Sequence, residues 1–447
     1  MVHILSHLFY VLLLLLVLTK ECKTEHEKDG LVIFIFIHKR MFGSDIMRGL
    51  MMADALQKHE KVKLCKATNI AADIKSLQKI DACIFLKFLI GQKEVIAACK
   101  ARGATVFMDV IDHAPLLAHL ASFVEHKGQP ERDWKSMVWL VQSQYFAKKL
   151  NEIGLTSYTY PHHHSNFYNW SVAETEPREL APNEPLDVRF LAGNAHNNPD
   201  FDQVLIPAVC AGGGVFSAID QRLGGVKFRT KSSVYSKRTI FSCPSNASHQ
   251  PELTHKTETD FADDHFGQAA FYLDANLVGT DVAIVWPSRS FNSSAYSKDS
   301  LNRQMLRPPT RMIHWMSRGV PVVYFPTHAY QDVAASGSYN IPGSASSLCV
   351  QNASAITRVL KELRSREVRR SLREQGLAIA KKYSLESIAD VFVQLALACP
   401  KSTCISSNQQ SHRGQSQSQE SGLGYLFFGF LILLLCGLQY NWPHQIL

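Results

Sequence analysis

The strongest constraint on the fold is a run of seven apolar residues, LVIFIFI, at positions 31–37. It has no polar residue on either face and is rich in β-branched side chains, which is typical of a strand buried on both faces of a parallel sheet. Parallel strands need a crossover connection, usually a helix, and IMRGLMMADALQKH at 46–59 has helical periodicity. The sequence therefore predicts an α/β fold.

The alternation of strand and helix continues to residue 160 and then starts again. Further strands are predicted for KVKLCKA, DACIFLKF, ATVFMDVID, MVWLVQS and TSYTYPHHH. Residues 161–185 are rich in Pro, Asn and Glu, and a second alternation begins with LDVRFLAGN. We therefore predict two Rossmann-like domains, at 31–160 and 186–398, with a linker at 161–185 and a cleft between the carboxyl ends of their sheets.

Both ends of the chain are apolar. The leucine-rich N-terminal run is shorter than the roughly 20 residues of a spanning helix, so we predict a signal peptide or signal anchor at residues 1–22. A second apolar run predicts a transmembrane segment at 424–440, behind a Ser/Gln-rich flexible stalk at 400–423. A GPI signal is the alternative, and the polar ending QYNWPHQIL disfavours it.

A secretory signal would place the body of the protein in the lumen, and N-x-S/T sequons give mild support. They occur at Asn169, Asn246, Asn292 and Asn352. The ten cysteines include no C-x-x-C pair, so we expect no cysteine metal site. Cys399 and Cys404 are close enough for a local disulfide, and free buried thiols are the alternative.

The formal net charge is +8 and the basic residues are spread along the chain. A balance of this size fits many anion-binding proteins. No basic run is interleaved with aromatic residues and no zinc-finger spacing occurs, so we expect no nucleic-acid partner.

The stretch RPPTRMIHWMSRGVPVV at 307–323 carries the main functional signal. Thr310 is a good N-cap behind two prolines, Gly319 is a natural helix end, and VPVVYFP is a buried strand. A helix N-terminus that follows a strand presents free backbone N–H groups to the cleft, and Arg311 adds a charge-assisted donor. The pattern predicts a phosphate site, with an ordinary βαβ unit and a surface arginine as the alternative.

PTRMIHWMSRGVPVV resembles the donor-site signature of GT-B fold glycosyltransferases. Three further segments resemble parts of the same family. The segment GSDIMRGLMMADAL resembles its glycine loop and first helix, and VQSQYFAKKLNEIGL resembles its S-x5-L-x3-G segment. The segment YPHHHSN resembles its interdomain exit. The resemblance spans about residues 31–397. It implies an enzyme that transfers a sugar from a nucleotide-sugar donor to a hydroxyl acceptor on a glycan, glycoprotein or glycolipid, without a metal or other cofactor.

The resemblance also implies donor-binding residues. Thr310 and Arg311 would hold the diphosphate, while His314 occupies the position where the family has a glutamate for the ribose hydroxyls. An imidazole cannot act as a bidentate carboxylate, so this position departs from the family pattern. A packed helix histidine is the alternative.

Three further pairs complete the predicted donor site. Two of the pairs lie in loops whose backbone would approach phosphate, which requires glycine. The third pair begins a long polar loop, which would either touch the sugar or be a disordered insertion. These pairs are Gly43 and Ser44, Gly193 and Asn194, and Ser288 and Arg289.

The predicted catalytic bases lie in FMDVIDHAP, which ends a strand of the first domain. Of its ionisable residues, Asp112 and His113 lie furthest towards the carboxyl end of the strand, beyond Asp109, and are the preferred bases. A turn-capping aspartate and a surface histidine are the alternative.

We predict structural roles for a run of histidines and for a pair of aspartates. PHHHS at 161–165 corresponds to a hinge beside the cleft, and the DFD of Asp200 and Asp202 is predicted to cap a helix. We expect no metal at either place.

These features together predict a membrane-attached glycosyltransferase of the endoplasmic reticulum or Golgi, with its body in the lumen. The second hypothesis is a non-catalytic two-domain sugar- or nucleotide-binding protein. A dehydrogenase ranks third, because no G-x-G-x-x-G follows a predicted strand.

Overall fold

The computed structural model describes fifteen stretches of the chain. They are residues 30–37, 46–69, 71–74, 77–87, 92–111, 113–126, 128, 132–164, 176–192, 200–223, 232–241, 243, 253–259, 279–286 and 305–399. The strands are β1 (Leu31–Phe36), β2 (Val62–Thr68), β3 (Ala82–Leu86), β4 (Thr105–Asp109), β5 (Val138–Val141), β6 (Thr156–Thr159), β7 (Leu186–Ala192), β8 (Gly214–Leu223), β9 (Ser232–Phe241), β10 (Leu253–Thr259), β11 (Val282–Val285) and β12 (Val322–Tyr324).

Helices follow the strands in both halves. They are α1 (Met52–Lys58), α2 (Lys93–Ala101), α3 (Ala114–Glu125), α4 (Arg132–Lys135), α5 (Gln144–Glu152), α6 (Ile206–Ala211), α7 (Thr310–Ser317), α8 (His328–Ala335), α9 (Ala353–Glu362), α10 (Arg366–Lys381) and α11 (Leu385–Ala398). Short π-helical turns, Ile46–Met51 and Phe201–Leu205, precede α1 and α6.

The first sheet is parallel, with the strand order β2-β1-β3-β4-β5-β6. In β1, Ile33 and Ile35 pack into one hydrophobic cluster, whereas Phe34 and Phe36 pack into another on the opposite face. Burial of such side chains contributes about 1.5–3 kcal/mol each. The predicted strand buried on both faces is confirmed, and with it the α/β class.

The second sheet is mixed, with the order β10-β9-β8-β7-β11-β12. Its β7, β8, β11 and β12 are parallel, and β9 and β10 extend it as antiparallel strands. The sequence predicts no strand among β8, β9 and β10. The reason is that β9, SSVYSKRTIF, has no sustained apolar pattern and depends on pairing with β8, which is a non-local interaction.

A disulfide joins Cys210 of α6 to Cys243, just after β9, across a separation of 33 residues. The disulfide considered from the sequence, between Cys399 and Cys404, is wrong, because Cys399 has a free buried thiol. Cys404 lies outside the described residues. Spacing along the chain suggested that pair, whereas the antiparallel extension of the sheet brings the real partners together.

A buried arginine fastens the first sheet. Arg48 donates from Nε to Asp109 Oδ2 at 2.9 Å, from Nη1 to the Pro161 carbonyl at 2.9 Å, and from Nη2 to the Tyr160 carbonyl at 2.9 Å. Its guanidinium also lies 3.7 Å from the centroid of the Tyr160 ring. Asp109 Oδ1 accepts from the Ile111 N–H at 3.2 Å. A buried ion pair is tolerable when its remaining donors and acceptors are satisfied in this way.

Residues 176–185 of the predicted linker are held against the second half. Arg178 donates to Asp281, and Arg364 donates to the carbonyls of Pro182 and Glu184. The fully buried Arg369 of α10 donates to the Arg178 carbonyl. Residues 176–185 are therefore a fixed strap along α10.

The last helix returns to the first half. Phe392 of α11 contacts the ring of Phe107 in β4 at a centroid distance of 5.1 Å and that of Tyr160 at 5.8 Å. Both sheets belong to one compact unit.

The predicted signal at 1–22, the stalk at 400–423 and the membrane segment at 424–440 lie outside the described residues. Among the helices that the structure describes, none combines the length and apolar character needed to cross a membrane.

The disulfide generates a stability prediction. Replacing both Cys210 and Cys243 by serine should lower the free energy of unfolding by about 3–4 kcal/mol, because the unfolded chain loses a cross-link over a loop of this length. Urea unfolding measures the loss. Cys349→Ser is the control, since Cys349 is a half-buried free thiol. An unchanged midpoint in the double variant would contradict the pairing.

Candidate functional site

The helix α7 connects β11 to β12, which pair in parallel. Its N-terminus therefore lies at the carboxyl edge of the second sheet, where open α/β sheets bind ligands. The N-cap is Pro309 and Thr310 is the first helical residue, so the predicted Thr310 cap is wrong by one position. Proline has no side-chain acceptor, and the first N–H groups of α7 are left without a side-chain cap.

The other end of α7 is closed by glycine, as predicted. Gly319 has φ +74°, its N–H donates to the Met316 carbonyl at 3.0 Å, and the Val320 N–H donates to the Trp315 carbonyl at 3.1 Å. This is a Schellman arrangement. A Cβ on Gly319 would also lie 3.0 Å from the Arg373 side chain, so glycine is required there.

The apolar face of α7 fixes its position. Met312, Ile313, Trp315 and Met316 are fully buried, and α7 packs against α10, where a Cβ on Gly376 would be in van der Waals contact with Met316. The N-terminus of α7 is therefore presented by a rigid element.

Two arginines and one tyrosine lie together at this N-terminus. Arg311 and Arg307 are half-buried, and Tyr330 of α8 is 5% exposed. Burial lowers the pKa of Arg311, which the nearby Arg307 lowers further, while Tyr330 opposes the shift. Burial raises the pKa of Tyr330, and both arginines oppose that shift. These mutual effects place the three groups within electrostatic range of one another at the N-terminus of α7.

Within the described part of the chain, no carboxylate pairs with either guanidinium. The N-terminal end of α7 therefore carries two positive charges in addition to the positive end of the helix dipole. A pair of arginines beside a helix N-terminus that has no side-chain cap is suited to bind a phosphate or diphosphate.

The two halves of the protein meet beside this site. Tyr145 of α5 stacks on His328 of α8, with ring centroids 4.0 Å apart, and the Gln144 N–H donates to Asp332 Oδ2 at 2.7 Å. Burial raises the pKa of Asp332, and the bond from Gln144 opposes this effect. The start of α5 and the whole of α8 are thus held together, and Tyr330 lies on that fixed helix.

His314 lies one turn further along α7 and is fully buried. Burial is the main reason that its pKa is well below the ordinary value, and the charges of Arg318 and His164 add to the effect. His314 is therefore neutral. A neutral imidazole offers only one acceptor nitrogen.

The three consecutive histidines are buried at the junction of the two halves. His163 Nδ1 lies 2.7 Å from the His164 carbonyl and its Nε2 lies 2.9 Å from the Met47 carbonyl. The His164 N–H donates to the Tyr383 carbonyl at 3.0 Å. Burial lowers the pKa of His163 to about 4 and that of His164 to about 3. The predicted hinge is a closely packed joint.

Of the two predicted catalytic bases, the structure describes only one. His113 is half-buried at the N-cap of α3, beside the carboxyl end of β4, and Asp112 lies outside the described residues. Asp109 is fully buried in its ion pair with Arg48, which makes it a structural anchor.

Asp200 has a different role from the predicted one. Its side chain makes no capping bond, and Oδ2 instead accepts from Trp286 Nε1 at 2.9 Å. Trp286 directly follows β11, so this buried bond fixes the carboxyl edge of the sheet. In the part of the chain that is described, no group of three His, Cys, Asp or Glu side chains is arranged to hold a metal ion.

Of the predicted donor-binding residues, Thr310, Arg311 and His314 lie on one helix. The others, Gly43, Ser44, Gly193, Asn194, Ser288 and Arg289, lie outside the described residues. Sequence reasoning missed Arg307 and Tyr330. Applying the same strand-then-helix argument to β12 and α8 would have found Tyr330. No family model matches the chain, and no curated protein matches its sequence.

The buried histidines predict that the protein loses stability in acid. Unfolded histidines titrate at about pH 6.5, whereas His162, His163, His164 and His314 bind protons in the folded state only at lower pH. Above about pH 6.5 both states are neutral at these sites and stability does not change. Below it the unfolded state binds more protons, so the free energy of unfolding falls as pH falls.

Each such histidine should contribute about 1.4 kcal/mol per pH unit to the slope of the free energy of unfolding against pH. For His163 it extends from the unfolded pKa down to about 4. Urea unfolding over this pH range measures it. His163→Gln should give a shallower slope by about one histidine's share, because an amide can donate to a carbonyl but does not titrate. An identical slope in the variant would contradict this explanation.

Proposed function

We propose that this protein is a GT-B glycosyltransferase that moves a sugar from a nucleotide-sugar donor to a hydroxyl acceptor on a glycan, glycoprotein or glycolipid. The observation that carries the proposal is the cluster of Arg307, Arg311 and Tyr330 at the uncapped N-terminus of α7. The cluster lies at the carboxyl edge of the mixed second sheet, and α8, which carries Tyr330, contacts the first half. This arrangement supports a donor diphosphate at α7.

The chemistry follows from the charges. When the bond between the sugar and the diphosphate breaks, negative charge grows on the departing oxygen. In the proposed reaction Arg307 and Arg311, with the dipole of α7, stabilise that charge. The Tyr330 hydroxyl supplies a further donor. This set of groups performs the role that a metal ion would have, so we propose a metal-independent reaction.

The acceptor is proposed to bind on the first half of the protein. There, His113 lies beside the carboxyl end of β4, and its ring is proposed to take the proton from the attacking hydroxyl, with Asp112 as its neighbour. The contact of Tyr145 with His328 brings the start of α5 next to the helix that carries Tyr330. This contact supports a reaction centre between the two halves.

The location proposed is the lumen of the endoplasmic reticulum or Golgi, with attachment to the membrane through the apolar segments at 1–22 and 424–440. The disulfide between Cys210 and Cys243 supports it, because disulfides persist in oxidising compartments.

A non-catalytic protein that binds sugars or nucleotides is the second candidate. The neutral, buried His314 favours it, because the family glutamate at this position would offer two acceptor oxygens to the ribose. Both candidates share the anion site at α7, so binding alone does not separate them.

The donor site predicts a thermal shift with one class of nucleotide sugar. The full chain in detergent is heated with UDP-, GDP-, ADP- or CMP-sugars. A ligand at 100 times its dissociation constant adds about 2.7 kcal/mol to the free energy of unfolding. Arg311→Ala should abolish the shift, and Tyr330→Phe should reduce it. Arg358→Ala is the matched control, because Arg358 is exposed on α9.

A shift with one nucleotide that persists in Arg358→Ala and disappears in Arg311→Ala supports the donor site. The absence of a shift with all four classes, from a folded protein, contradicts it. Release of the nucleoside diphosphate on addition of acceptors then distinguishes the transferase from the binding protein.

A further inference from the structure

The sequon Asn352-Ala353-Ser354 lies at the start of α9. Asn352 is the N-cap, with φ −149° and ψ 166°, and both Asn352 and Ser354 are exposed. Ala353 packs against the hydrophobic core between them. The two residues that N-glycosylation requires are thus on the surface at the beginning of a well-packed helix.

The amide of Asn352 uses only its oxygen in the fold. Oδ1 accepts from the Ala355 N–H at 2.9 Å, which satisfies one of the free donors at the start of α9. No described residue accepts a hydrogen bond from Nδ2. An amide is planar, with oxygen and nitrogen on opposite sides of its carbon. When Oδ1 faces the helix, Nδ2 therefore faces away from it.

We infer that Asn352 carries an N-linked glycan while it continues to cap α9. The donor is an oligosaccharide attached to a lipid diphosphate. Nδ2 forms a bond to the anomeric carbon of the first sugar, the bond from that carbon to the diphosphate oxygen breaks, the lipid diphosphate leaves, and Nδ2 loses one proton. The product is still an amide, so Oδ1 keeps its lone pairs and its bond to the Ala355 N–H.

The surroundings leave room for a glycan. Gln351 and Arg358, the neighbours before the cap and on the exposed side of α9, are both exposed. The buried face of α9, formed by Ile356, Val359 and Leu360, points the other way. A sugar on Nδ2 therefore extends into solvent without displacing a core contact.

This inference rests on the luminal location within the proposed function and is independent of donor binding. The other sequon asparagines, Asn169, Asn246 and Asn292, lie outside the described residues. They serve as internal controls, because any of them that is modified proves entry of the chain into the lumen.

The test expresses the full chain in a eukaryotic secretory host. A peptide N-glycosidase then removes glycans in water enriched in heavy oxygen, which converts each modified asparagine to a labelled aspartate that mass spectrometry detects. The peptide containing Asn352 should be labelled in the wild type. Label should be absent from that peptide in Ser354→Ala, which removes the sequon hydroxyl and leaves the cap unchanged.

A second measurement tests the double use of the amide. Asn352→Asp keeps an oxygen at the cap but cannot be glycosylated. Asn352→Ala removes both the capping oxygen and the nitrogen that would carry the glycan. The Ala variant should melt at a lower temperature than the Asp variant, because only it loses the bond to the Ala355 N–H. Equal melting temperatures would overturn the capping role.

The labelling experiment has two results that overturn the inference. If another sequon is labelled and Asn352 is not, Asn352 is not a glycan acceptor. If no sequon is labelled, the luminal location fails and the inference fails with it. The thermal shift with nucleotide sugars is unaffected by either result, so the failure of the donor site remains a separate finding.

Discussion

The buried guanidinium of Arg48 is the interaction on which the rest of the structure depends. It joins the turn after β1 to the end of β4 through Asp109 and to the exit from β6 through the carbonyls of Tyr160 and Pro161. A single charged group therefore aligns three carboxyl ends of the first sheet. Removing either partner leaves an uncompensated buried charge, which costs about 3–5 kcal/mol in comparable cases. The ion pair can persist because the backbone carbonyls accept the remaining donors.

From this junction the packing leads to the N-terminus of α7. His163 contacts the Met47 carbonyl, next to Arg48, and the His164 N–H donates to the Tyr383 carbonyl just before α11. These contacts tie the exit from the first sheet to the end of the second half. On that half, the buried face of α7 and the left-handed Gly319 hold the helix in position. Its uncapped N-terminus, with Arg311, is consequently a rigid and positively charged surface.

The sequence predicted those features whose causes are local. The strand β1 was predictable because both of its faces are apolar, and α7 was predictable because its prolines and Gly319 mark both ends. The strand β9 was not, because a serine-rich segment becomes a strand only through its neighbour. Two other features were missed for the same reason. One is Tyr330, which a different β-α unit brings near Arg311, and the other is the pairing of Cys210 with Cys243. Interactions between residues distant in sequence require the fold, and Asp109 shows that a candidate base can turn out to be an anchor.

The most direct test of the proposed donor site is a crystal structure of the full chain with the nucleoside diphosphate of the donor class that stabilises it. The account predicts density for the two phosphates at the N-terminus of α7, with Arg311 and Arg307 on the phosphate oxygens and the Tyr330 hydroxyl within hydrogen-bond distance. It also predicts that His314 stays buried and makes no contact with the ribose. Diphosphate bound elsewhere, with Arg307 and Arg311 in solvent or paired with a carboxylate, would contradict the account.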